Sequence, residues 1–110
     1  MKLGQAQELF MRQLPRLIDK AHELGFEIRG GDLFRDPRAH GKIGEQGPYG
    51  KAHSDHKRKC AIDLNLMKDG KLVRSTEGHR ELGEWWEVQN PLNYWGGRFD
   101  DGNHYGIKRN

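Results

Sequence analysis

Ala61-Ile62-Asp63-Leu64-Asn65-Leu66-Met67, running into Lys68-Asp69-Gly70-Lys71, is the stretch on which the fold of this chain turns. Its residues alternate. Ile62, Leu64 and Leu66 fall on one side, and Ala61, Asp63 and Asn65 on the other, which is the pattern of a strand with an apolar back and a polar front. Asp69-Gly70 is a two-residue hairpin signal, so Leu72 and Val73 are expected to return antiparallel to the strand. Asp63 is out of place by propensity, because aspartate is disfavoured in strands. A carboxylate between Ile62 and Leu64 needs a partner if it is buried, and a metal ion or an arginine would serve.

Upstream, residues 5–24 carry Phe10, Leu14, Leu17, Ile18, Ala21 and Leu24 at helical spacing. Pro15 predicts a kink or a late helix start, and Gly25 a helix stop. Residues 26–34 read as a strand broken at Gly30-Gly31, a bulge or a close backbone approach. Residues 35–54 are polar and rich in glycine and proline, and read as a long loop. Downstream, Ser75 or Thr76 can cap a helix over residues 77–88, with Leu82, Trp85 and Trp86 as its buried side. Residues 90–103 read as loop and residues 104–107 as a last short strand. The expected fold is α+β, with a small antiparallel sheet and helices on one face, in a single domain spanning residues 1–110.

The chain has 110 residues, 34% hydrophobic and 32% charged, with 15 glycines and a formal net charge of +3. A domain of this size has a lean core, which a bound metal would help to hold. No apolar run reaches the ~18–20 residues of a membrane span, and residues 1–10 lack the apolar block of a signal peptide. The single cysteine, Cys60, excludes an internal disulfide and a cysteine-based zinc knuckle. The basic residues are dispersed, and Lys57-Arg58-Lys59 is too short a run to mark a nucleic-acid surface.

Two clusters carry chemistry. His56 precedes Asp63 across a loop-to-strand junction, and Asp101 precedes His104 by three residues. Two histidines and one aspartate match the ligand count of a catalytic zinc site, which keeps one position open for water. A further carboxylate beside the last histidine can accept a proton from that water. His53 rivals His56 for the first ligand position. His79 reads as a packing or surface residue, and His22 and His40 as surface positions. Trp85, Trp86 and Trp95 read as core or loop-packing residues, with Trp95 also placed to line a cleft.

Ser54-x-His56 followed by Ala61-x-Asp63, and the closing Asp101-x-x-His104, resemble the signatures of the zinc D-alanyl-D-alanine carboxypeptidase and L-alanyl-D-glutamate endopeptidase family. That family includes phage endolysins and shares its fold with the hedgehog signalling domain. The blocks AIDLNLMKDGK, STEGHRELGEWWE and WGGRFDDGNHYG are similar to its short phage and prophage members. The resemblance implies a hedgehog/DD-peptidase-like fold and a Zn2+ held by His56, Asp63 and His104. It also implies Asp101 as general base and Arg35 near the substrate carbonyl, where Arg29 and Arg38 are competitors. Ser54 and Trp95 are the candidate substrate contacts.

The implied partner is bacterial peptidoglycan, with no nucleic acid and no stable membrane insertion, acted on by a monomer. Such a protein would be made in the host cytoplasm without a signal peptide and act on the cell wall after release. Two features depart from the family pattern. Lys59 replaces a glycine between the ligands, and Tyr105-Gly106-Ile107-Lys108 lacks a glutamate that many relatives carry after the last histidine. A catalytically silent zinc-binding module and a metal-dependent nuclease are the rival classes.

Overall fold

The computed structural model describes residues 1–31 and 60–108. Helix α1 spans Leu3–Glu23, strand β1 Glu27–Gly30, β2 Ala61–Lys68 and β3 Lys71–Leu72. A 3-10 turn at Glu77–His79 leads into helix α2, Arg80–Gln89. Strand β4 is Asn93–Trp95, a second 3-10 turn covers Gly96–Phe99, and β5 is His104–Ile107. The architecture is α+β, with two helices and a small antiparallel sheet ordered β1-β2-β5-β4, β3 being appended to β2. No helix among the described residues is long and apolar enough to cross a membrane.

The alternation of β2 organises the core. Leu64 and Leu66 are fully buried, and Ile62 nearly so, in one cluster with Phe10, Leu14, Leu17 and Ala21 of α1 and Leu82 and Trp86 of α2. Each buried leucine, isoleucine or phenylalanine contributes about 1.5–3 kcal/mol relative to exposure. Tyr105 and Ile107 of β5 join the same cluster, so both helices cover one face of the sheet.

Trp86 ties the layers together. Its indole N–H is shared between the carbonyls of Tyr94 and Gly106, at 3.2 and 3.1 Å, and Phe10 meets its ring edge-on. The buried Asn93 amide donates to Gln13 Oε1 of α1 and to the Trp86 carbonyl, both at 2.8 Å.

Local signals place the turns. After α1, Gly25 takes φ 94°, while Phe26 N–H bonds the Ala21 carbonyl and Gly25 N–H the His22 carbonyl. This is a Schellman stop. Asp69 and Gly70 have φ of 51° and 75°, as a type I′ hairpin turn requires. Ser75 Oγ accepts the Gly78 N–H at 3.0 Å and opens the first 3-10 turn.

Two expectations are corrected. Helix α1 starts at Leu3 and continues past Pro15 to Glu23, so the late start gives way, with buried residues on both sides of Pro15 holding the helix to the core. Residues 93–95, read as loop, form β4, which pairs with β5 in the register Tyr94↔Gly106.

Candidate metal centre

The front of the sheet brings together residues that lie far apart in sequence. In the β2–β5 register, Asp63 is opposite His104, so the two side chains leave the same face as direct cross-strand neighbours. His104 Nδ1 lies 3.5 Å from Asp63 Oδ1 and 3.9 Å from Asp101 Oδ2. The His104 side chain is 10% exposed, that of Asp63 19%, and that of Asp101 51%.

The backbone fixes this arrangement. Leu64 N–H bonds the Asn103 carbonyl at 2.8 Å, Asp101 N–H the Gly96 carbonyl at 2.8 Å, and His104 N–H the Asp101 carbonyl at 3.1 Å. The Asp101–His104 turn is thereby clamped to β2. Gly31 N–H bonds the Asp63 carbonyl on the other edge, and a Cβ on Gly31 would collide with Asp63 itself. The glycine pair read from sequence is therefore a close backbone approach beside Asp63, made at Gly31.

Tyr94 is a site residue that sequence reading missed. Its hydroxyl lies 2.8 Å from His104 Nε2. Its ring crosses the position opposite it on β5, where Gly106 has no side chain; a Cβ there would be 2.9 Å from ring atoms. The two nitrogens of His104 are thus distinguished. With the proton on Nε2 donated to Tyr94 Oη, Nδ1 presents its lone pair toward the two carboxylates. An imidazole fixed through its far nitrogen is the usual state of a metal-binding histidine. The available signal was the Tyr94/Gly106 pair, but it becomes readable only once the β4–β5 register is known.

His79 approaches from behind. It is buried, and its Nδ1 is 2.8 Å from Tyr105 Oη, which joins the first 3-10 turn to β5 one residue from His104. Burial lowers its pKa below the ordinary 6.5, against the upward pull of a bond to the Val73 backbone and the charge of Asp101. It therefore sits neutral at neutral pH. Burial likewise raises the Tyr105 phenol well above its usual value.

Trp95, expected at the substrate, is fully buried. Its indole N–H donates to the Gly102 carbonyl at 2.6 Å, so it shapes the 96–103 loop from beneath and offers no face to solvent. Arg35, Ser54 and His56, with the rivals His53 and Arg38, lie outside the described residues, as do Lys59 and the 35–54 loop. Arg29 is on β1, opposite Asn65 of β2.

The donor set can be tested against zinc. Two ligands each ~2.0–2.1 Å from a tetrahedral ion lie roughly 3.3–3.4 Å apart. The 3.5 Å between His104 Nδ1 and Asp63 Oδ1 fits that spacing. One neutral imidazole and one carboxylate are chemically suited to zinc. Among the described residues, no three histidine, cysteine, aspartate or glutamate side chains make a complete metal-holding group. Asp63 and His104 stand at the spacing that two corners of such a group would need. No family model matches the chain, and no curated protein shows significant similarity to it.

Proposed function

We propose that this chain is a zinc-dependent peptidase that hydrolyses peptide bonds in bacterial peptidoglycan stem peptides, in the manner of the carboxypeptidase and endopeptidase family its motifs resemble. The observation that carries the reading is the meeting of Asp63 and His104 across β2 and β5, with Asp101 beside the same imidazole nitrogen.

Asp63 Oδ1 and His104 Nδ1 would hold the ion, with His56 of the Ser54-x-His56 motif as the third ligand. When bound, zinc supplies an electrophile that polarises the substrate carbonyl and lowers the pKa of water toward ~7. Asp63 gives the site one carboxylate, which only partly offsets the ion's charge. Tyr94 holds the His104 ring in the productive orientation. Asp101, the most exposed of the three acid and imidazole groups, accepts the proton of the water that attacks the carbonyl carbon. As the C–N bond breaks, the same carboxyl returns that proton to the leaving nitrogen, and the products are a carboxylate and an amine. Arg35 is the sequence-assigned partner for charge developing on the carbonyl oxygen.

The test is muropeptide release from purified peptidoglycan, read by mass spectrometry with and without a chelator, for the wild type and Asp101→Asn. The wild type should release peptides only with metal present. Asp101→Asn should keep zinc and lose about 10²–10⁴-fold in rate. A metal-bound wild type that releases nothing would instead be the silent binding module, and chelator-insensitive release would remove zinc from the mechanism.

A further inference from the structure

The edge of β2 that faces away from β1 is shared by two short strands. β5 pairs with residues 61–63 and β3 with residues 67–68. Between them Leu64 and Asn65 border an open cavity of about 270 Å³, also lined by the 72–76 segment and the 100–103 loop. The cavity adjoins the centre described above through Asp101, which lines it and lies 3.9 Å from His104 Nδ1. Asn65, the next front-face residue after Asp63, also lines it, and alternate residues on a strand are separated by about 6.5–7 Å. One amino-acid residue beyond the scissile bond spans that distance.

The cavity carries charges of both signs. Asp100 and Asp101 line it from the loop before β5, and Arg74 lines it from the segment after β3. Among the described lining residues Arg74 is the one guanidinium or ammonium group. His79 also lines the cavity but is held neutral by burial. The Arg74 backbone is fixed from both sides: Val73 N–H bonds the Leu66 carbonyl at 2.8 Å, and Ser75 Oγ accepts the Gly78 N–H. Asn65, Thr76 and Asn103 add neutral hydrogen-bonding groups to the lining. A lining that holds aspartates and an arginine offers partners to both an amine and a carboxylate.

Resting on the peptidase reading, we infer that this cavity receives the leaving-amine side of the substrate, and that Arg74 binds a free carboxylate on the residue following the scissile bond. The direction follows from Asp101. The group that returns a proton to the departing nitrogen must face that nitrogen, so the residue that carries the nitrogen lies on the Asp101 side, in the cavity. A guanidinium fork is well matched to a carboxylate. A terminal carboxylate and the carboxylate left free beside a γ-linked glutamate present the same chemistry.

Matched peptides test this. Each pair carries, on the residue after the scissile bond, either a carboxylate or its carboxamide; one pair is terminal and one γ-linked. The wild type should favour the carboxylate by about 10- to 100-fold in kcat/KM. Arg74→Gln should lose that preference while cleaving the carboxamides as before, and Arg74→Lys should keep part of it. Equal losses on both members of a pair, or no loss on either, would overturn the inference while leaving the peptidase reading intact.

If the wild type cleaves nothing, the peptidase reading fails on its own. The inference is then decided by titrating the protein with D-alanine or D-glutamate against their carboxamides. Amide NMR signals of Asn65, Thr76 and Asn103 should move for the carboxylates in the wild type and not in Arg74→Gln. Unmoved signals in the wild type would overturn it.

Discussion

The two faces of the β2–β5 pair do opposite work from the same few residues. On the back, Leu64, Leu66, Tyr105 and Ile107 are sealed under both helices. On the front, Asp63, His104 and, across Gly106, Tyr94 form a polar row that packs no core. A strand gives alternate residues to opposite faces, so a one-residue slip in register would bury the acids and expose the leucines. The apolar back therefore sets the register that makes Asp63 and His104 neighbours. Stability and site geometry are coupled through pairing.

The hardest break falls on the back. Leu66→Ala removes a fully buried side chain and should lower unfolding free energy by about 2–5 kcal/mol, read from the urea midpoint. Its zinc affinity should stay near wild type for as long as the domain remains folded, because the front-face register survives.

The front answers differently. Tyr94→Phe deletes the hydroxyl 2.8 Å from His104 Nε2 and keeps the ring over Gly106. Zinc affinity, measured by competition with a chromophoric chelator, should fall about 10- to 100-fold. The urea midpoint should barely move. If instead stability falls and affinity holds, Tyr94 belongs to the structural side of the comparison.

The smallest effect lies where the two faces meet. His79 titrates below its ordinary 6.5 because of burial, so the unfolded chain takes up a proton where the folded chain resists it. Its share of stability is present in full above pH 6.5 and is lost as pH falls through that value toward its folded pKa. Urea unfolding at about pH 7.5 and about pH 5.5 should show the acid-side decline, and His79→Gln should make it shallower. An unchanged slope in that variant would assign the decline to groups other than His79. Glu87 is not one of them: against the upward push of burial, Arg98 and the Trp95 N–H bring its pKa below the usual 4.5, so its share of stability is lost only below that value.

Much of this layout was legible in the chain. The strand around Asp63, the Asp69-Gly70 hairpin, the Gly25 stop and the strand beginning at His104 all carry local signals: alternation, or residues that tolerate positive φ. The pairing of Asp63 with the Asp101-x-x-His104 turn was also expected, from motif and ligand chemistry. Three things were not legible. β4 is only Asn93–Trp95, too short for a periodicity, and exists because β5 offers it an edge. The run of α1 through Pro15 was decided by the buried stripe beneath it. For Trp95 the sequence left core packing and a cleft position both open, and the fold settled on packing.

By itself the sequence determined which residues alternate, where the chain can turn and which side chains are chemically able to hold a metal, because these depend on neighbours within a few positions. Only the tertiary structure decided that Tyr94 meets His104, that His79 braces Tyr105 and that Arg74 shares a cavity with Asp101. Those contacts depend on strand order and register, which are set by burial of the whole apolar face at once and are written in no short stretch of the chain.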